Sequence, residues 1–392
     1  MKILVICQYY YPEPFRINEI CEEMVKKGNE VTVLTGLPNY PEGKIYKGYK
    51  FFKRRKENIN GVNIIRSFEI GRRKGIFFRA LNYATFMISA SIKSFFIKEK
   101  FDIVYVYQLS PISMVKPAII YKRKNKTKIV LYCLDLWPDS IKTFGINENS
   151  KIYKIIDKYS KKIYDSVDKI LISSSMFSEN FETMKTEYVP QYSEQILRKK
   201  QKNDSKKMNF VFAGNIGKAQ SIETIIKAAN ELKTENNIMF HIIGDGSELD
   251  NIKAMAQNYK LNNVIFYGRV NLNEMQKYYN LADAMLITLG KDKFLAKTLP
   301  GKTQSCMATG NAIIAAADGE IMKIIEKSNC GYCVHAEDYK GLAEKIKQFS
   351  KLNENEKNQL QENAYNYYNL NFSKSNFIEK TINTLREECI NV

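Results

Sequence analysis

The sequence predicts an α/β protein made of two doubly wound parallel-sheet domains, and three observations carry that prediction. Short β-branched runs alternate with longer stretches of helical periodicity along the whole chain, the pattern of parallel strands covered on both faces by helices. The chain has 392 residues, more than one ordinary core holds when domains run at roughly 100–200 residues. A polar stretch rich in Lys, Gln, Ser and Asn, residues 191–207, then splits the rhythm into two halves.

In the first half, strands are expected at 2–6 (KILVI), 30–35 (EVTVLT), 62–66 (VNIIR), 102–107 (DIVYVY), 128–133 (KIVLYC) and 168–173 (DKILIS). Gly28, after EEMVKK, marks a helix stop ahead of the second of these, where a left-handed cap favours glycine. The second half restarts with MNFVFAG (208–214), IMFHIIG (238–244), NVIFYG (263–268), DAMLIT (283–288), NAIIAA (311–316) and GYCV (331–334). Residues 354–385 read as helix beyond the last strand. The domain plan is therefore 1–190, a linker at 191–207, 208–370, and a final helical segment, 371–392, that can pack back on the first domain. Two such units would leave a ligand cleft at the strand C-termini.

Residues 76–97 are the most apolar stretch and have the length of a membrane span, but Arg79, Asn82 and Lys93 interrupt it. A helix with one buried face, able to touch a membrane, is expected there. The N-terminal MKILVICQYY runs straight into PEP, which reads as a first strand and not a signal peptide. A cytoplasmic location follows as the expectation.

Composition excludes disorder, with 44% hydrophobic and 12% aromatic residues. The net charge of +18 is lopsided: residues 1–204 hold 37 Lys and Arg against 21 Asp and Glu, or +16, and the rest 23 against 21, or +2. Such a face is either a solvated basic surface or an attractor of anionic lipid and phosphorylated ligands. No nucleic-acid-binding motif accompanies it. The seven cysteines are scattered, mostly in apolar runs, and Cys330 and Cys333 lack the partners that zinc requires. His241, inside IMFHII, reads as a satisfied core residue, and His335 as a surface loop residue.

The chemistry concentrates in the loops of the second half. After Phe212 the chain reads AGNIGKAQSIETIIKAA, in which Gly214 and Gly217 permit close backbone approach and a helix beginning near Ser221 aims free N–H groups at a phosphate. Lys218 adds a full charge. The next strand ends at Gly244, Asp245 and Gly246, where Asp245 is either a turn cap or a ligand contact. A third strand ends at Gly268 and Arg269. The fourth feature, TLPGKTQSCMATGNAIIAAADGE, brings Pro300, Gly301 and Lys302 to the start of a short helix and Glu320 to the start of another.

The order of these features, with YYPEPFRINEI, EVTVLTGLPNYPEGKIYKGY and LDLWPDSI in the first half, resembles family 4 glycosyltransferases, retaining enzymes of the GT-B fold with two facing Rossmann-like domains. The likeness is greatest to bacterial transferases that add amino sugars to O-antigen or capsule repeats. It implies a nucleoside-diphosphate-sugar donor bound by the C-terminal domain and a saccharide acceptor, carried on a polyprenyl diphosphate, bound by the N-terminal one. The nucleotide sugar is then a substrate, with no metal and no other cofactor, and the enzyme sits peripherally at the inner face of the cytoplasmic membrane. By this resemblance Gly214, Asn215, Gly217, Lys218 and Gln220 hold the diphosphate, Gly244, Gly268 and Arg269 lie near the nucleoside, and Lys302 and Glu320 face phosphate and sugar. Arg16, the Pro38-Asn39-Tyr40 loop and Asp135 line the acceptor side, Asp135 being alternatively a turn cap ahead of Pro138.

The sequence departs from that family where two glutamates eight positions apart are usual: Lys297 and Ser305 stand there, and Asn215 and Gln220 replace the usual Arg and Lys of the phosphate loop. Lys218 and Lys302 are then the cations left for the diphosphate. A nucleotide-sugar epimerase of the same layout, or a non-catalytic basic binding protein on a transferase fold, are the competing readings.

Overall fold

A computed structural model describes residues 1–50, 53–73, 75–181, 186–194, 197–198 and 207–390. Most of the segment expected to be the linker, 195–196 and 199–206, lies outside them. The chain divides into two compact units, one of Met1–Ser173, Phe177–Val189 and the residues from Ile378 on, the other of Ser174–Met176 and Pro190–Phe377.

The first unit holds an eight-stranded sheet of β1 (Lys2–Ile6), β2 (Glu30–Thr35), β3 (Lys56–Ile59), β4 (Val62–Arg66), β5 (Ile103–Gln108), β6 (Lys128–Cys133), β7 (Lys169–Ile172) and β8 (Thr186–Tyr188). The spatial order is β3-β4-β2-β1-β5-β6-β7-β8, and every pair is parallel except β3 with β4. That hairpin turns on Asn60 and Gly61, both at positive φ (52° and 81°), the residues a two-residue primed turn demands. The second unit holds β9 (Met208–Ala213), β10 (Ile238–Ile243), β11 (Val264–Gly268), β12 (Ala284–Thr288), β13 (Ala312–Ala316) and β14 (Gly331–Val334), in the order β11-β10-β9-β12-β13-β14, all parallel. All twelve expected strands are present, and β3 and β8 are additional.

Strands buried on both faces explain the apolar runs. From β9, Phe210 and Phe212 pack with Phe240 and Phe349 on one side of the second sheet, while Val211 packs with Met285 and Ile287 on the other. The strand order reverses between β9 and β12, so the loops after these two strands diverge and leave a crevice, the place where α/β sheets take ligands. In the first sheet the same reversal falls between β1 and β5.

The helix Ile76–Phe96 has a buried face, as expected, but the side chains are sorted the other way round. Asn82, Phe86, Ala90 and Ser94 are buried, whereas Phe77, Ile88, Ile92, Phe95 and Phe96 are exposed. Three polar side chains of the helix bond inward: Asn82 Nδ2 donates to Ile70 O (2.6 Å), Ser94 Oγ to Pro117 O (2.7 Å), and Ser89 Oγ to Phe68 O, while the buried Ser91 Oγ has no hydrogen-bond partner among the described residues. No described helix is long and apolar enough to cross a membrane. The predicted C-terminal helix is two, Glu354–Asn371, opened by a capping box of Asn353 and Glu356, and Lys374–Ile390.

Candidate functional site

The loop after β9 is shaped by backbone meeting backbone. Gly214 (φ 150°) donates its N–H to Ile243 O at 3.0 Å, and a Cβ on Gly244 (φ 141°) would lie 1.8 Å from Gly214 O. A Cβ on Gly246 would lie 2.3 Å from Ile216 O. Glycine is therefore obligatory at 244 and 246, because no side chain fits between the loops that follow β9 and β10. Gly217 is buried, and Asn215 Nδ2 donates to Gln220 Oε1 (3.1 Å) across it.

A short 3-10 turn, Lys218–Gln220, follows, then Ser221 in the left-handed region (φ 44°), and the helix expected near Ser221 starts at Glu223. The loop after β12 holds this turn in place: Thr288 Oγ1 donates to Gln220 O (2.6 Å) and Gly290 N to Ala219 O (2.9 Å). Asn215 and Lys218 are left exposed at the mouth of the crevice. Asp245 is also exposed, and its Oδ1 accepts from Gly246 N (2.7 Å), a turn-capping role. Gly268 O accepts from Gly244 N (2.9 Å), which fastens the third loop to the second, and Arg269 is exposed beside it.

Lys302 stands in the first turn of the helix Gly301–Ala308. Its stem passes over Gly214, where a Cβ would lie 3.9 Å from Lys302 Cδ, and its ammonium lies 4.2 Å from the centre of the Phe212 ring. Nζ is shielded from water and has no hydrogen-bond partner among the described residues. Burial alone pushes its pKa down to about 8. A buried cation that meets a ring face but no anion is costly, and an incoming phosphate would relieve that cost.

Glu320 opens the helix Glu320–Ser328 and is 1% exposed. Both its oxygens are occupied: Oε1 accepts from Ser175 N (2.9 Å) and Oε2 from Ser175 Oγ (2.6 Å). Gly319 before it (φ 72°) lies against Ala296 O, 2.1 Å from where a Cβ would be. Ser305, at one of the missing glutamate positions, bonds to Gly301 O within its own helix (3.3 Å), and Lys297 O accepts from Ser174 Oγ.

In the first unit the residues expected on the acceptor side separate into two kinds. Tyr40 is exposed and its ring lies 5.1 Å from that of Phe15. Asn39 is fully buried: its Nδ2 donates to Leu37 O (2.9 Å) and to Glu69, and its Oδ1 accepts from Arg72 N (2.8 Å). Asn39 therefore shapes the loop from within. Arg16 begins the helix Arg16–Lys26 and is half-buried. Asp135 follows β6, where Ser110 Oγ donates to its Oδ2 and Trp137 Nε1 donates to the same hydroxyl (3.0 Å). Burial raises the Asp135 pKa against these bonds.

Two carboxylates that the sequence reading passed over complete this region. Glu13 Oε1 accepts from Asn39 N (2.8 Å) and Tyr40 N (2.6 Å), and Oε2 from Tyr10 N (3.3 Å). Glu69 is fully buried and accepts from Gln8 Nε2 (3.0 Å) as well as Asn39. The available signal was a glutamate between two prolines just past the first strand, a place where a carboxylate can turn back on the loops beside it.

His241 is the satisfied core residue expected, with Nε2 2.9 Å from Asn209 Oδ1 and Nδ1 2.9 Å from Tyr267 OH. His335 is exposed and lies 2.7 Å from Asp318. All seven cysteines are free thiols.

The two α/β units, each built on a doubly wound sheet, have the GT-B fold. Residues 193–367 match the Glycosyl transferases group 1 family. The chain is similar to the putative colanic acid biosynthesis glycosyl transferase WcaI of Escherichia coli K12, 24% identical over 89% of this chain and 92% of that one. The probable glycosyltransferase WbjE of Pseudomonas aeruginosa is 26% identical over 57% and 60%. Among solved structures, sucrose-phosphate synthase of Thermosynechococcus elongatus superposes with a TM-score of 0.75 over the full length of both chains at 13% identity. Anabaena HepE in complex with UDP superposes at 0.70 over 99% of this chain and 100% of that one, at 12% identity.

Proposed function

We propose that this protein is a retaining, metal-independent transferase that moves a hexose or N-acetylhexosamine from a nucleoside-diphosphate sugar to a saccharide carried on a polyprenyl diphosphate, in bacterial surface polysaccharide synthesis. The observation that carries the donor half is Lys302: a buried ammonium with no hydrogen-bond partner, over Gly214 and in the first turn of a helix. The name of WcaI and the UDP bound by HepE support the choice of pathway and donor class.

In this reading the diphosphate lies on the backbone of Gly214–Gln220, with Lys302 beneath it and Lys218 at its open side. As the anomeric C–O bond breaks, negative charge grows on the β-phosphate, and a cation already in place lowers the barrier without reorganising. The acceptor hydroxyl attacks the same face of the sugar that the phosphate leaves, and a phosphate oxygen takes its proton. Glu320, expected to face the sugar, is instead buried with both oxygens bonded to Ser175, and it acts by holding that segment in place.

The test is a screen of UDP-, GDP- and dTDP-sugars for turnover with polyprenyl-diphosphate-linked saccharides, with Lys302→Ala and Glu320→Ala beside the wild type. Loss of Lys302 is expected to cut turnover by roughly 10²-fold or more, as when one oxyanion donor is deleted. Loss of Glu320, which removes both bonds to Ser175, is expected to lower the melting temperature and to weaken the intact donor and the bare nucleoside diphosphate alike. Near-normal rates in Lys302→Ala, or turnover abolished by EDTA and restored by Mg²⁺, overturn the reading.

A further inference from the structure

Phe77, Leu81, Ala84, Ile88, Ile92 and Phe95 recur at steps of four and three residues along the helix Ile76–Phe96, the spacing that aligns side chains in one stripe. Phe96 adjoins it. Phe77 is 72% exposed, Ile88 54%, Ile92 57%, Phe95 51% and Phe96 70%. The opposite stripe of Asn82, Phe86, Ala90 and Ser94 is the one packed inward. Single exposed apolar residues need no explanation, but a contiguous row of large ones marks an interaction site. Here the outward face is the more apolar of the two, the reverse of what a soluble helix requires.

The surface continues onto a neighbour. Tyr159 OH lies 3.8 Å from Met87 Sδ, and the face of the helix Lys151–Tyr164 that carries Tyr159 also carries Ile152 and Ile155, 58% and 70% exposed. Basic groups rim it. The Arg73 guanidinium lies 5.6 Å from the Phe78 ring centre, and Lys124 Nζ lies 5.4 Å from that of Phe95 while donating to Phe95 O (2.6 Å). Lys98 and Lys100 are exposed just past the helix end.

We propose that this face is the docking surface for an anionic lipid bilayer, its apolar row entering the headgroup boundary while Arg73, Lys98, Lys100 and Lys124 meet lipid phosphates. Charge selects the occupant. A second copy would bring together two first halves of net charge +16 each (37 basic less 21 acidic residues over 1–204), which repel. An acidic leaflet has the opposite sign and attracts each nearby basic residue, and the apolar row adds the burial of its CH₂ and ring surface. The inference stands apart from the donor site, and neither depends on the other.

Flotation of the purified full chain with phosphatidylcholine vesicles, with and without phosphatidylglycerol, tests it. The wild type is expected to float with the acidic vesicles and far less with the neutral ones. Ile88→Asn with Ile92→Asn, at two solvent-facing positions, is expected to lower the partition coefficient by about tenfold or more at an unchanged melting temperature. Phe95→Ser with Phe96→Ser should do the same, and Lys98→Glu with Lys100→Glu should remove the preference for acidic vesicles. Wild-type flotation by both apolar double variants overturns the proposal, as does equal binding of the wild type to both vesicle types. A wild-type dimer in light scattering that the Ile88 and Ile92 changes convert to monomer also overturns it, and assigns the face to a second copy.

Discussion

The Lys302 ammonium lies 4.2 Å from the centre of the Phe212 ring and has no hydrogen-bond partner among the described residues. The ring face offsets part of the cost of burying the charge, yet the pKa still falls to about 8.

The pH dependence of donor binding follows from that shift. A nucleoside diphosphate, its last phosphate ionised above about pH 6, pairs with the ammonium and not with the amine. Affinity for UDP should hold below about pH 8 and fall as pH rises through it. The unliganded fold behaves oppositely: between about pH 8 and 10.5 the unfolded chain binds the proton that the folded chain has released, so stability from this group rises with pH. Titration calorimetry with UDP at several pH values, on wild type and Lys302→Met, checks both the slope and its origin. A wild-type affinity flat across pH 8, or a slope that survives in Lys302→Met, contradicts the assignment.

Gly244 and Gly214 give a second prediction, because their backbones touch. Alanine at 244 would place Cβ 1.8 Å from Gly214 O at φ 141°, so the two loops must separate. Gly244→Ala should cost about 3 kcal/mol or more and remove UDP binding. Gly214→Ala meets only ordinary contacts, Phe212 at 3.8 Å and Lys302 at 3.9 Å, and bears the backbone strain of φ 150°, about 1–3 kcal/mol. Urea unfolding of the two variants should rank them in that order, and equal losses would show that the loops are not locked together.

Glu13 gives a third. Burial lifts its pKa to about 7, against the lowering effect of its three backbone N–H bonds. A carboxyl with a raised folded-state pKa contributes stability that is complete below its unfolded value, near 4.5, and is lost as pH rises through about 7. The urea midpoint of the transition that includes the first unit should therefore decline between about pH 5 and 8, and Glu13→Gln should make that decline shallower. Glu69, also raised by burial, accounts for the slope that remains. An identical slope in Glu13→Gln would place the titration elsewhere.

The parallel strands were legible because each is buried on both faces and bounded by a turn, so the apolar run and its length suffice. β3 was not, since Lys56–Ile59 alternates exposed and half-buried residues at a sheet edge; the Asn60-Gly61 pair was the signal that could have found it. The glycines of the loops after β9 and β10 could be read as points of close approach, but nothing in the spacing shows that the Lys302 ammonium would be buried without a hydrogen-bond partner among the described residues. Asn39 was read as a contact and is a loop support, because its type and position fit both and only burial separates them. The helix over 76–96 had the period expected of a packed helix. Periodicity gives a stripe without saying which side faces the core, and the polar face went inward because Ile70, Phe68 and Pro117 offer carbonyls there.

The contact between Gly214 and Gly244 also bears on how donor choice could be re-engineered. Where main chain rests on main chain there is no side chain to exchange, so these positions cannot encode a preference for one base or sugar over another. Asp245 and Arg269 flank the contact with exposed side chains; substitutions at Arg269 alter size and charge without touching the loop backbone, while those at Asp245 must keep an acceptor for Gly246 N. A library aimed at changing the donor should hold the glycines fixed and vary those two neighbours.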